Sequence, residues 1–153
     1  MADTKLITEK KRKQMFYVYI VFLGLLAVAI AFMPMASAAR QNGQLMLVVS
    51  GSLFWVGLIG TVCTATKITR LRRSSMGNAT KAGLFLFFSN GPAKIFDILM
   101  GVSGLLLVIV WLLFNAQQIL FVCLSIFLFS FGMHCMLNGA NYMFLTNKQR
   151  RKK

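Results

Sequence analysis

Five polar side chains interrupt or border the apolar stretches of this chain: Asp97, His134, Asn138, Asn141 and Tyr142. A carboxylate and an imidazole are the groups that acid–base chemistry, proton relay or ion handling would need. Inside a hydrophobic segment such groups are costly enough to be functional candidates by default. His134, Asn138 and Asn141 are four and three residues apart, which places them on one helix face, with Tyr142 alongside. Asp97 is the sole acid near an apolar run, and His134 is the sole histidine. Two readings follow. One is a polar pocket open to the cytoplasm and built from these five residues. The other is hydrogen-bonding glue between helices. For Asp97 the structural reading has its own support, since a carboxylate near a helix N-terminus meets the positive end of the dipole, and Lys94 lies three residues back.

The elements that must position these residues are membrane spans. The chain has 153 residues, of which 58% are apolar and only 13% charged. Soluble domains average about 25% charged, so lipid is the expected solvent. Four runs reach the roughly 20 apolar residues that a bilayer requires. They cover residues 15–36, 45–66, 95–114 and 119–145. Connections at 37–44 and 115–118 are short enough to be tight turns, each joining an antiparallel pair, whereas 67–94 is the one long loop. The expected fold is therefore an all-α membrane protein, a four-span antiparallel transmembrane helix bundle. Residues 1–14 form a basic arm and residues 146–153 a basic tail.

Charge sets the orientation. Sixteen of the seventeen Lys and Arg residues fall in three clusters, Lys5–Lys13, Lys67–Lys94 and Lys148–Lys153, and only Arg40 lies elsewhere. All three clusters fall on one side of a four-span chain, and the positive-inside rule makes that side cytoplasmic. Both termini then lie in the cytoplasm, and the protein belongs in the plasma membrane. The net charge of +14 is thereby explained without a nucleic-acid partner. Lys10, Lys11, Arg12, Lys13, Arg70, Arg72, Arg73, Arg150 and Arg151 are positioned to meet anionic headgroups, or only to set topology. A basic stretch, an apolar run and Ala36-Ser37-Ala38 also resemble a signal peptide. The run is longer than an h-region, so we read a retained first helix.

Within the long loop, Gly83–Phe88 is apolar yet too short to span, and reads as a segment lying in the cytoplasmic interface. Asn78-Ala79-Thr80 is a glycosylation sequon on the side where it would go unused. Ser89-Asn90-Gly91-Pro92 is a helix-start signal, so the third helix should begin near Pro92. Small residues at Ala27 and Ala31, and at Gly51, Gly57, Gly60 and Thr61, mark faces for close packing. Tyr17 and Tyr19 suit an interface, with their hydroxyls in water.

Counting depth from the cytoplasmic ends of spans 95–114 and 119–145 puts Asp97 near the level of Asn141. It puts His134 roughly 10 Å or more deeper. On that count Asp97 and His134 do not pair, and His134 should meet Ser or Thr groups of the second helix or a backbone carbonyl.

Several functions lack the residues they need. No span carries an arginine ladder for voltage sensing. Cys63, Cys123 and Cys135 lack CxxC spacing, and one histidine with scattered cysteines is a poor metal set. No catalytic residue, metal or cofactor is assigned. The chain has the general look of small bacterial membrane proteins, and no motif carries a family resemblance. The leading expectation is a non-enzymatic subunit or scaffold that associates with another membrane protein or with itself. The alternative is an oligomeric lipid or small-solute carrier or channel with a polar path along the third and fourth helices. A membrane-embedded enzyme ranks third.

Overall fold

The computed structural model describes residues 2–38, 43–76, 87–88, 91–114 and 116–138. They form four helices: α1 (Ala2–Ala38), α2 (Gly43–Met76), α3 (Gly91–Leu113) and α4 (Gln117–Leu137). Each contains a stretch long and apolar enough to cross a bilayer: Lys10–Met35, Gln44–Leu71, Gly91–Leu113 and Gln117–Leu137. Asn141, Tyr142, Arg150, Arg151, the Asn78–Thr80 sequon and residues 83–86 of the expected interfacial segment lie outside the described residues.

Helix ends and span ends differ, for a physical reason at each end. The basic arm is not a separate element, because α1 carries Lys10–Lys13 in continuous helix with its span. Likewise α2 runs through Lys67 and Arg70 to Met76, where a solvated loop was expected. At 34 residues it is about 50 Å long, well beyond a 30 Å hydrocarbon core. Hydropathy marks where lipid ends, whereas a helix continues through polar residues as long as none of them breaks it. The opposite correction applies to α4, which ends at Leu137 rather than at residue 145. Asn138 is extended, with φ −84° and ψ 148°, and its backbone N–H donates to the His134 carbonyl. Asn138-Gly139 is a helix-stop pair in the sequence, and it falls where α4 ends.

The packing order is α2, α1, α4, α3. Packed interfaces join α1 to α2, α3 to α4, and α1 to α4, while the other helix pairs scarcely touch. At the end bearing the basic residues, all four helices feed one buried cluster: Phe16, Tyr19 and Leu23 of α1, Ile68 of α2, Ala93 of α3, and Met133, Met136 and Leu137 of α4. At the other end Leu45, Val48, Leu112, Leu113 and Phe114 are exposed, as expected of a surface meant for lipid.

Close approach is written in glycine. A Cβ added at Gly57 would lie 2.7 Å from the Leu26 backbone nitrogen, and one at Gly60 would collide with the Phe22 ring. The expected small-residue face on α2 thus does contact α1, through Gly57 and Gly60. On the α1–α4 seam, a Cβ at Gly132 would lie 2.8 Å from the Leu23 side chain. The bare Gly132 carbonyl accepts from the Tyr19 hydroxyl at 2.9 Å. Tyr19 is therefore buried with its hydroxyl in a protein bond, not at a wet interface. Ser125 completes the seam by donating to the Ala27 carbonyl at 2.6 Å.

Candidate functional site

Asp97, His134 and Asn138 meet at the basic end of the α3–α4 hairpin. His134 Nδ1 lies 2.6 Å from Asp97 Oδ1. Asn138 Nδ2 donates to the same oxygen at 2.9 Å. Its distance to His134 Nδ1 is 2.8 Å. The second carboxylate oxygen, Oδ2, accepts the Phe88 backbone N–H at 2.6 Å. All three side chains are buried, Asp97 at 4% exposure, His134 at 1% and Asn138 at 0%.

The expected separation of Asp97 and His134 is thus overturned, because depth was counted from an end that α4 does not have. Register in a hairpin is set by its short turn. Asp97 lies 16 residues before Leu113, and His134 lies 17 residues after Gln117, which makes them level. Their shared face follows from the helix period: His134 and Asn138 are one turn apart, and Asn138 in the cap position still faces α3.

Two proton arrangements satisfy this geometry. An ionised Asp97 is acceptor-only, so Nδ1 must carry a proton and both His134 and Asn138 donate to Oδ1. The short distance between their nitrogens is then two donors converging on one acceptor. In the neutral arrangement Asp97 donates to a bare Nδ1, whose one lone pair that bond takes up, and Asn138 still donates to Oδ1. The first form with an imidazolium and the second with a neutral imidazole hold equal numbers of protons and differ only in where one sits.

Aromatic rings close the site. The Phe87 ring centroid is 4.7 Å from that of His134, and the Phe131 ring stacks near it at 6.4 Å. Phe88 adopts a φ of 55°, in the left-handed region that a bulky residue seldom occupies. That conformation aims its N–H at Asp97. Sequence patterns single out Asp97, His134 and Asn138 as polar groups in apolar surroundings. A backbone donor such as Phe88 carries no such signal. Ser130 was also missed. It sits one turn before His134 with 0% exposure, and its hydroxyl has no hydrogen-bond partner among the described residues.

The described hydroxyls of α2 turn to their own helix. Ser50, Ser52, Thr61, Thr64, Thr66 and Thr69 each donate to a carbonyl one turn back in their own helix. This is the arrangement that satisfies a hydroxyl in lipid without a neighbouring helix. Of the basic residues singled out, Lys10, Lys11, Lys13 and Arg70 are exposed, whereas Arg12 is buried. Arg72 and Arg73 fall near the end of α2. Among the described residues, Cys63, Cys123 and Cys135 form no disulfide. Among the described residues no three His, Cys, Asp or Glu side chains converge as a metal site would require.

These features define a small all-α, multi-pass membrane protein with a buried carboxylate–imidazole–amide cluster and no obvious catalytic or metal-binding set among the described residues. No family model matches the chain, and no curated protein or solved structure matches it either.

Proposed function

We propose that the protein is a non-enzymatic subunit or scaffold of the plasma membrane, with its basic end in the cytoplasm, that associates with another membrane protein. The observation that carries this reading is that both Asp97 oxygens are taken by donors of the chain itself. A site built for solute would leave an acceptor facing open space. Here the cluster acts as a clasp that fastens α3, α4 and the segment at Phe87–Phe88 together. The flanks fit the same role. Trp55 and Ile59 on α2, and Leu105 and Trp111 on α3, are exposed apolar side chains on helices that each have one packed neighbour.

A second reading, an oligomeric carrier of lipid or small solute, draws on the burial of an ionisable pair within the spans. Extraction in mild detergent followed by native mass spectrometry separates the two. The subunit reading expects a different polypeptide at fixed stoichiometry. Recovery of this chain alone, as a defined oligomer that moves solute across liposomes, would replace it with the carrier reading.

A further inference from the structure

A groove of about 430 Å³ opens between α1 and α2 at the basic end, lined by Lys11, Gln14, Met15, Lys67, Arg70 and Leu71. It presents three cations and one amide beside two apolar side chains. Lys11, Gln14, Lys67 and Arg70 are exposed, and among the described residues no carboxylate lines the groove. The one acid whose side chain is described, Asp97, is engaged with His134, Asn138 and Phe88. Both walls belong to membrane-length stretches, Lys10–Met35 and Gln44–Leu71, and the groove lies at the basic limit of each. It therefore sits at headgroup level, with apolar helix surface continuing inward from it.

We infer that this groove is a binding site for the headgroup of an anionic phospholipid. Lys11, Lys67 and Arg70 bind the phosphodiester oxygens, with the Arg70 guanidinium able to engage two of them at once. The Gln14 amide donates to a further headgroup oxygen, and Met15 and Leu71 lie against the start of an acyl chain. The composition favours lipid over a free anion, because a site for inorganic phosphate alone has no use for the apolar wall. Three cations without a carboxylate favour a headgroup of net negative charge over a zwitterionic one, whose own ammonium would be repelled. The inference does not depend on the subunit reading, since it rests on different residues.

The test uses the full chain in nanodiscs of phosphatidylcholine and phosphatidylglycerol in equal parts, released into detergent and examined by native mass spectrometry for retained lipid. Wild type should keep phosphatidylglycerol in preference to phosphatidylcholine. The triple variant Lys11→Gln, Lys67→Gln, Arg70→Gln should lose that adduct on the order of tenfold or more, since each cation near the surface contributes appreciably to anionic-lipid attraction. A control variant of equal charge, Lys81→Gln, Lys94→Gln, Lys148→Gln, should retain it to within about twofold. Equal loss in both variants would overturn the inference in favour of diffuse attraction, as would equal retention of the two lipids in wild type. Inorganic phosphate is added in a separate arm. Displacement of the lipid by phosphate at matched concentration would assign the groove to the free anion and sink the lipid assignment. Arg70→Gln alone is the mildest change and guards against misfolding of the triple variant. It should lower retention about threefold or more, and no change there also counts against the site.

Discussion

Asp97 is hydrogen-bonded to groups from three separate places in the chain: a backbone N–H before α3, a ring nitrogen in the last turn of α4, and an amide just past it. Removing the shared partner should therefore cost more than removing any one of these groups. Asp97→Leu is expected to destabilise by about 3 kcal/mol or more, and Asn138→Leu by about 1 kcal/mol, given that a typical bond contributes ~1 kcal/mol and orphaned buried groups add to the loss. Thermal unfolding in detergent micelles checks the order; Asn138→Leu proving the more damaging would contradict the clasp. Ser130→Ala makes the opposite prediction. Its buried hydroxyl lacks a partner among the described residues, so its removal should leave stability unchanged or raise it by up to about 1 kcal/mol in the same assay. A loss of function at unchanged stability would instead give Ser130 a role beside His134. The three cluster side chains were legible because polar groups stand out against apolar neighbours. Their pairing was not, because it depends on where α4 stops, and Tyr142–Leu145 disguised the stop at Asn138-Gly139.

At the level of elements, glycines separate contact from open space. Gly57→Leu should destabilise by about 1–3 kcal/mol or more, because the first atoms met are Leu26 backbone atoms, which cannot swing aside. Gly51 has nothing within 4 Å of an added Cβ, so Gly51→Ala should stabilise by up to about 1 kcal/mol through helix propensity. Circular-dichroism melts of the two variants read both effects. Opposite signs are required, since a shared sign would mean that α1 and α2 do not pack as described. Hydropathy made all four helices visible. It said little about their lengths, because Lys67–Arg73 contains neither glycine nor proline and stays helical outside lipid. The α2 hydroxyls were read as possible partners for His134, yet a hydroxyl bonded to its own helix looks the same in sequence as one that reaches across.

For the whole molecule, the proposed orientation rests on the basic clusters and is open to direct measurement. With Cys63, Cys123 and Cys135 replaced by Ala, Gln117→Cys at the start of α4 should react with a membrane-impermeant maleimide on intact cells. Lys10→Cys should react only after permeabilisation. The reverse pattern would place the basic end outside and remove the cytoplasmic half of the functional proposal. The order of packing, α2, α1, α4, α3, was beyond reach of the sequence. Short turns dictate which helices form hairpins, but nothing in them says which helix of one hairpin docks on which helix of the other. That choice is made at Gly132, whose missing side chain lets Tyr19 and Leu23 come close.

The same packing order has a consequence in time. Among the four helices the two inner ones, α1 and α4, come first and last in chain order, so the α1 surface that receives Ser125 and Gly132 has no mate until α4 has been made. Until then the α1–α2 hairpin must wait in the bilayer with Tyr19 lacking its eventual acceptor. The α4 helix is thus the keystone of assembly. Failure of α4 to insert would strand both flanking helices, which makes the half-assembled bundle, rather than the finished one, the form most exposed to membrane quality control.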